Sequence, residues 1–396
     1  MKYVLAGAET NTFRYGNLIN KFKLKMKIIQ LIQKPQRRGA EIFAAQLSEQ
    51  LRLAGNEVLL VSIFEGESEL PFKGEFLKMN RPISNRFFDF KGWRDFAKIV
   101  QEFKPDIIQA NAADTLKFSV FSKRLFGWKS PIIYRNANQM GDFIRNRFHQ
   151  RFNQFLINQV SGVVSVSKAS RIDFHYTFIF PERKSVTIPI GIDTNTIDGD
   201  LKENLGVTIP EEFLLQIGGL VEEKDPRGML QIYIQLLKKY PELHLVFIGS
   251  GSLQAALKQE IEDNGLKDIV RLIANKPNIF PILSKTKALV MPSKIEGLPG
   301  VILEAMYCKV PVIAYGVGGI PEVVISNKTG FCVEVADQEA FQKAIEEVLN
   351  LPEDDLEEIT TTARELVLKD YQIDQIAKEF DEFYCSIIAN AQTKNN

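Results

Sequence analysis

Cysteine, histidine and long apolar runs are all scarce in this sequence of 396 residues. Its three cysteines, Cys308, Cys332 and Cys385, are odd in number and lack metal-ligand spacing. That argues against a disulfide framework and against a zinc site, and it fits a reducing cytoplasm. No uncharged apolar stretch approaches the roughly 20 residues a bilayer requires, so no spanning helix is expected. Net charge is lacking too, at 49 Lys and Arg against 49 Asp and Glu. The balance hides a division, because residues 1–196 hold 30 basic against 17 acidic side chains and residues 197–396 hold 19 against 32. Two modules with different partners are implied, the basic one being a candidate for an anionic surface.

The pattern along the chain is strand, turn, helix, repeated. Met1 to Lys25 has no apolar core of signal-peptide length, because Glu9 interrupts VLAGA. It reads as an appendage, with a basic anchor through Lys21, Lys23, Lys25 and Lys27 as the alternative. The fold then begins at Met26. Lys27–Ile32 is a first strand, and a turn at Arg37–Gly39 leads to a helix over Glu41–Ala54 that stops at Gly55-Asn56. Strands follow at Val58–Phe64, Ile107–Ala110, Ile132–Arg135, Gly162–Val166 and Val186–Ile188. A second series lies at Phe213–Ile217, His244–Ile248, Val270–Ile273, Ala288–Met291 and Val310–Ala314. Pro189–Pro210 carries turn residues and little periodicity, as an interdomain linker would. The expected fold is α/β: two facing Rossmann-like domains, residues 26–195 and 212–370, each a parallel sheet flanked by helices. Residues 196–211 join them, and a C-terminal helix over 371–396 returns toward the first domain.

In such sheets ligands sit beyond the carboxyl ends of the strands. The most informative segment there is Pro292–Met306, PSKIEGLPGVILEAM, in which Glu296 and Glu304 bracket seven residues. Gly297, Leu298 and Gly300 lie in the loop, and the helix start near Val301 offers its positive end to a phosphate. A carboxylate at Glu304, four residues past Gly300, can accept two hydrogen bonds from a vicinal diol such as that of a ribose. Glu296 can do the same for hydroxyls of a sugar beyond a diphosphate.

These residues resemble the pattern of glycosyltransferase family 4, retaining enzymes that use nucleotide sugars and have the GT-B fold. The resemblance runs from Met26 to about residue 385. It implies donor-binding roles for Glu296, which would hold the sugar, and Glu304, which would hold the ribose. IGGLVEEKDPRGML, residues 217–230, resembles the family's strand-end loop in which an Arg and a Lys bind the donor diphosphate. Lys224 keeps the Lys and would stabilise the departing diphosphate without a metal; Gly219 stands where the Arg is usual, and Arg227 is the nearby candidate to compensate. In KPQRRGAE, Gly39 corresponds to a glycine that brings backbone amides to phosphates and acceptor. Base recognition is placed near Lys276. Gly318-Gly-Ile-Pro-Glu322 resembles a loop of mainly architectural meaning.

The usual histidines after the fourth and fifth strands are replaced by Gln109 and Asn111 in IIQANAAD and by Arg135 and Asn136 in IIYRNAN. Asn111 and Arg135 become the expected polar groups orienting the sugar. The resemblance thus implies a cytoplasmic hexosyl-type glycosyltransferase moving a sugar to a saccharide or polyprenyl-linked acceptor in surface polysaccharide or glycolipid synthesis. The nucleotide sugar is a co-substrate, and neither cofactor, metal nor nucleic acid is expected. A non-catalytic sugar-nucleotide or glycan-binding protein with a degenerate site is the alternative. IGSGSLQAAL begins like a dinucleotide fingerprint but has Gln254 at the third glycine, and Asp198-Gly-Asp200 has the composition of an ordinary turn. DFIRNRFHQRFNQF, residues 142–155, and RFFDFKGWRDF, residues 86–96, interleave cations with aromatics on expected helices. They suit peripheral attachment to an anionic membrane, or a packed aromatic face beneath solvated arginines.

Overall fold

The computed structural model describes residues 25–203 and 208–392. The expected appendage falls, except for Lys25, outside these residues. The first domain has strands β1 (Lys27–Ile32), β2 (Glu57–Phe64), β3 (Glu75–Arg81), β4 (Ile107–Ala110), β5 (Ile132–Asn136), β6 (Gly162–Ser165) and β7 (Ser185–Thr187). They form one parallel sheet of seven strands in the order β3-β2-β1-β4-β5-β6-β7. The second has β8 (Phe213–Ile217), β9 (His244–Ile248), β10 (Val270–Ile273), β11 (Ala288–Met291), β12 (Val312–Tyr315) and β13 (Phe331–Val333), again all parallel, in the order β10-β9-β8-β11-β12-β13.

Central strands such as β1, KIIQLI, are buried on both faces by flanking helices, so their sequences are nearly continuous apolar runs. In register, Ile29 lies beside Leu59 on one side and Ile108 on the other. Two strands escape that signal. β3, EFLKMNR, pairs on one side only and is mostly exposed or half-buried, and β13 has only three residues. The linker also differs from expectation. Residues Thr194–Asp200 form a short helix whose N-terminus is capped by Asp193, accepting from the Thr196 amide at 3.1 Å. Asp serves caps and turns alike, which is why the segment resembles a loop in sequence. The aromatic segments start later as helices than expected: Asp89 caps Phe90–Phe103 and Asn146 caps Arg147–Ile157, leaving Arg86 and Arg145 on the preceding turns.

The chain crosses between domains twice at one place. The Ile192 amide donates to the Tyr371 carbonyl at 2.9 Å and the Ile373 amide to the Ile192 carbonyl at 3.0 Å. A Cβ on Gly191 would come 2.7 Å from the Ile373 Cα, so only glycine lets the two crossings touch. The last helix, Ile373–Gln392, then packs on Gly39–Leu53 of the first domain, with the Phe43 and Phe380 ring centroids 6.0 Å apart. One apolar cluster is therefore continuous from Ile28 and Phe43 through Phe380 to Ile302 and Leu303.

The helix is also held by polar bonds. Tyr384 donates to Gln109 Oε1 at 2.5 Å and accepts from Gln30 Nε2 at 3.1 Å, all inside the core. Tyr384→Phe leaves two buried amides short of a partner. A loss of about 1–3 kcal/mol is expected, measured as a lower urea midpoint.

Candidate active site in the interdomain cleft

Each sheet has a point where strand order reverses: between β1 and β4 in the first domain, and between β8 and β11 in the second. Loops leaving the strands there diverge to opposite faces and leave a crevice. Lys224 follows β8 and Glu296 follows β11, so neighbouring strands deliver both to the second crevice. The two loops are tied directly. The Lys294 amide donates to the Glu223 carbonyl at 2.8 Å, and the Lys294 ammonium pairs with Asp225 at 2.9 Å. Asp225, in the left-handed region at φ 44°, also caps the helix Pro226–Leu236. The result is an ion pair between Lys224 Nζ and Glu296 Oε1, with Glu296 only 5% exposed. Sequence distance gave no sign that two groups assigned to diphosphate and sugar touch each other.

Glu304 stands one turn inside the helix Gly300–Tyr307. Pro299 at its N-cap supplies no side-chain acceptor, so the first-turn amides at Gly300 and Val301 have no side-chain cap. The Glu304 carboxylate folds back toward them: a Cβ built on Gly300 lies 4.0 Å from Oε1. Burial pushes the Glu304 pKa up to about 7, opposed by the charge of Arg37 from the other domain. Arg37, on the loop after β1, reaches across the cleft, donating from Nη2 to the Pro277 carbonyl at 2.7 Å. Pro277 adjoins Lys276, which is half-buried on the loop after β10. Gly39 opens the first helix at the mouth of the cleft, where an added methyl would meet open space. At Gly219 an added Cβ would come no nearer than 3.6 Å to a neighbour. Leu298 is buried beside Glu296 in sequence, and Val301 is half-buried.

One end of the cleft is closed by backbone. A Cβ on Gly297 would strike the Ala137 carbonyl oxygen at 2.0 Å, and one on Gly319 would meet Ser167 at 2.6 Å. Glu322 reaches into the first domain, accepting from the amides of Lys168 at 3.2 Å and Ala169 at 3.0 Å and thereby capping the helix Lys168–Thr177. The Gly318–Glu322 segment is an interdomain contact, and Glu322 went unassigned in sequence because its partners are about 150 residues away.

Other expectations meet a different geometry. Asn111 is 2% exposed, its amide donating to Gln30 and accepting from Gln109, each at 2.9 Å. Arg135 is also 2% exposed, stacked 4.3 Å from the Phe43 ring centroid, with no partner for Nε and Nη1 among the described residues. Burial lowers the Arg135 pKa to about 10, and buried Glu41, shifted upward by desolvation, is a nearby counter-charge. Asn111 is thus held between Gln30 and Gln109, and Arg135 lies against Phe43 in the first domain. Arg227 pairs with Glu260 on the neighbouring helix. The histidines lie in the helices Arg147–Ile157 and Lys168–Thr177 and at the start of β9, and no metal-binding group of His, Cys, Asp or Glu occurs among the described residues.

Residues 37–196 match the family described as Glycosyltransferase Family 4, and residues 200–383 match Glycosyl transferases group 1. The chain belongs to the family 4 glycosyltransferases. It is 22% identical over 377 residues to the N-acetyl-alpha-D-glucosaminyl L-malate synthase of Bacillus anthracis, covering 89% of this chain and 95% of that one. A Campylobacter jejuni enzyme, GalNAc-alpha-(1->4)-GalNAc-alpha-(1->3)-diNAcBac-PP-undecaprenol alpha-1,4-N-acetyl-D-galactosaminyltransferase, is 26% identical over 370 residues, 90% of this chain and 97% of that one. Among solved structures, Anabaena Alr3699/HepE in complex with UDP and glucose has the same fold, with a TM-score of 0.76 at 19% identity over 91% of this glycosyltransferase and 100% of that chain. The expected pair of facing parallel-sheet domains with returning C-terminal helices is the fold observed.

Proposed function

We propose that this glycosyltransferase moves a hexosyl-type residue from a nucleoside-diphosphate sugar to a saccharide or polyprenyl-linked saccharide, with retention and without a metal, in surface polysaccharide or glycolipid synthesis. The observation that carries it is the Lys224–Glu296 pair at the strand-order reversal, beside a helix N-terminus that carries Glu304. Relatives that act on lipid-linked saccharides support the acceptor class. Glu304 accepts from the ribose hydroxyls, and the Gly300 and Val301 amides face the diphosphate. Glu296 holds donor-sugar hydroxyls while the Lys224 ammonium, released in part from Glu296, meets the departing phosphate. The acceptor oxygen bonds to the anomeric carbon on the leaving-group side. The bond to the β-phosphate oxygen breaks with its electron pair staying on phosphate, and a phosphate oxygen takes the acceptor proton. The Lys276–Pro277 loop lies beside the base.

Because the diol donates to the ionised carboxylate, binding favours the charged form of Glu304. Nucleotide affinity therefore rises with pH through about 7 and levels off once Glu304 is ionised without ligand. Calorimetry with UDP and GDP checks this. Glu304→Ala is expected to weaken binding roughly 10- to 100-fold and to lose the part of the pH dependence that the nucleotide's own phosphate does not cause. An unchanged affinity in Glu304→Ala would remove the ribose assignment.

We also propose that the first domain rests on an anionic bilayer. Phe87 is 79% and Phe148 81% exposed, and ring contacts link Phe88, Trp93, Phe121 and Phe152 into one aromatic face. Lys117, paired with Asp114 at 3.2 Å, stands 4.9 Å over the Phe87 ring, and the cations offered to lipid are Arg147 and Arg151 on the helix of Phe148 and Phe152. Each cation near such lipid contributes about 1 kcal/mol, with apolar insertion added. No helix among the described residues is long and apolar enough to cross a membrane. Sedimentation with phosphatidylglycerol vesicles should capture the protein and release it in high salt, and Phe87→Ser with Phe148→Ser should reduce capture; equal binding to phosphatidylcholine, or none to either, would refute the docking.

A further inference from the structure

The domain boundary is bridged in two ways. The chain crossings at Ile192 and at residues 371–373 join the domains covalently and can bend as a hinge. Residues 318–322 make the other bridge through noncovalent contacts, so closing the cleft can form it and opening can break it. It ends in Glu322, half-buried on the short helix Ile320–Val323. Ile320 and Val323 are buried in the apolar cluster, which gives that carboxylate a firm base.

Three amides open the helix Lys168–Thr177, and each has an acceptor. Ser167 Oγ takes the Ser170 amide at 3.0 Å from within the first domain. The Lys168 and Ala169 amides go to the second domain, to Glu322 Oε2 at 3.2 Å and Oε1 at 3.0 Å. A carboxylate at a helix N-terminus gains from charge-assisted bonds and from the helix dipole. When the domains part, these groups return to water, so the contact favours one arrangement without forbidding the other.

The same residues grip the loop of Glu296. The Gly319 amide donates to the Gly297 carbonyl at 2.5 Å. Gly318, at φ 55°, lies so close that a Cβ there would be 2.0 Å from the Glu296 carbonyl oxygen. A continuous path therefore runs from the first-domain helix through Glu322 and Gly319 to Gly297 and Glu296, whose carboxylate pairs with Lys224.

We propose that Glu322 is a positioning residue: by clasping the Lys168 and Ala169 amides it holds the cleft closed and fixes the loop that presents Glu296 to the donor sugar. The proposal rests on the nucleotide-sugar reading above and adds to it a link between domain closure and transfer. Glu322 touches neither donor nor acceptor. Its effect is on how often Glu296 and the first-domain wall stand together in the reacting arrangement.

The contact can be cut from either side. Glu322→Ala removes the acceptor. Lys168→Pro removes one donor at little cost to the helix, because proline suits the first helical position and Ser167 before it is already extended at φ −155° and ψ 162°. X-ray scattering from the ligand-free full chain should show a larger radius of gyration in each variant than in the parent. Nucleoside diphosphate release from UDP-, GDP-, ADP- and dTDP-linked hexoses should fall in kcat roughly 10- to 100-fold in Glu322→Ala, less in Lys168→Pro, with UDP and GDP affinity little changed. The double variant should be no worse than Glu322→Ala, since both changes break one contact. Glu322→Gln, which keeps one accepting oxygen, should recover part of the rate. A parent-like radius and kcat in both single variants, or fully additive losses in the double variant, would overturn the clasp while leaving the nucleotide-sugar reading in place. Release from none of these donors by the parent would overturn that reading, and the scattering comparison would then decide the clasp by itself.

Discussion

A parallel sheet sends the carboxyl end of every strand to one edge, and this protein sets two such edges against each other. Nearly everything at the site follows from that constraint. Crossover helices start at the edge, so their unsatisfied amides point into the cleft. Adjacent strands deliver Lys224 and Glu296 to the same point in space although 72 residues separate them. A carboxylate as buried as Glu296 is stable when charged only beside a cation, so the two loops hold each other before any ligand arrives. On the function proposed above, an entering donor replaces one partner of this pair with another.

The two domains are less independent than a pair of cores joined by a linker. The final helix belongs to the first domain's interior, where Tyr384 completes a network with Gln30 and Gln109. Glycine-mediated contacts at Gly191, Gly297 and Gly319 bring backbones together where a methyl would not fit. Charge runs across the same boundary. The basic half contributes Arg37 to a wall of the acidic half, so the zero net charge of the whole chain conceals complementary faces.

Much of the fold was legible because strands buried on both faces must be apolar throughout, and β1, β4, β8 and β11 all are nearly so. β3 was not, since an edge strand half-open to solvent lacks that pattern. At the site, the Glu296 and Glu304 spacing was readable because both lie on one loop and one turn of helix. The surroundings of Asn111 and Arg135 were not legible, for a physical reason. A polar residue ending a strand faces either the cleft or the core, and the choice is set by distant partners: Gln30 for Asn111, and Phe43 and Glu41 for Arg135. Arg37 stood in a segment whose glycine drew the attention; only the fold places its guanidinium against Pro277, 240 residues away.

Whether the facing edges form a working transfer site is decided by incubating the purified protein with UDP-, GDP-, ADP- and dTDP-linked hexoses and a polyprenyl-diphosphate saccharide, and measuring nucleoside diphosphate release. The expected result is release from at least one donor, falling by about two orders of magnitude or more in Glu296→Ala. Release from none of them, or release that Glu296→Ala leaves undiminished, would contradict it.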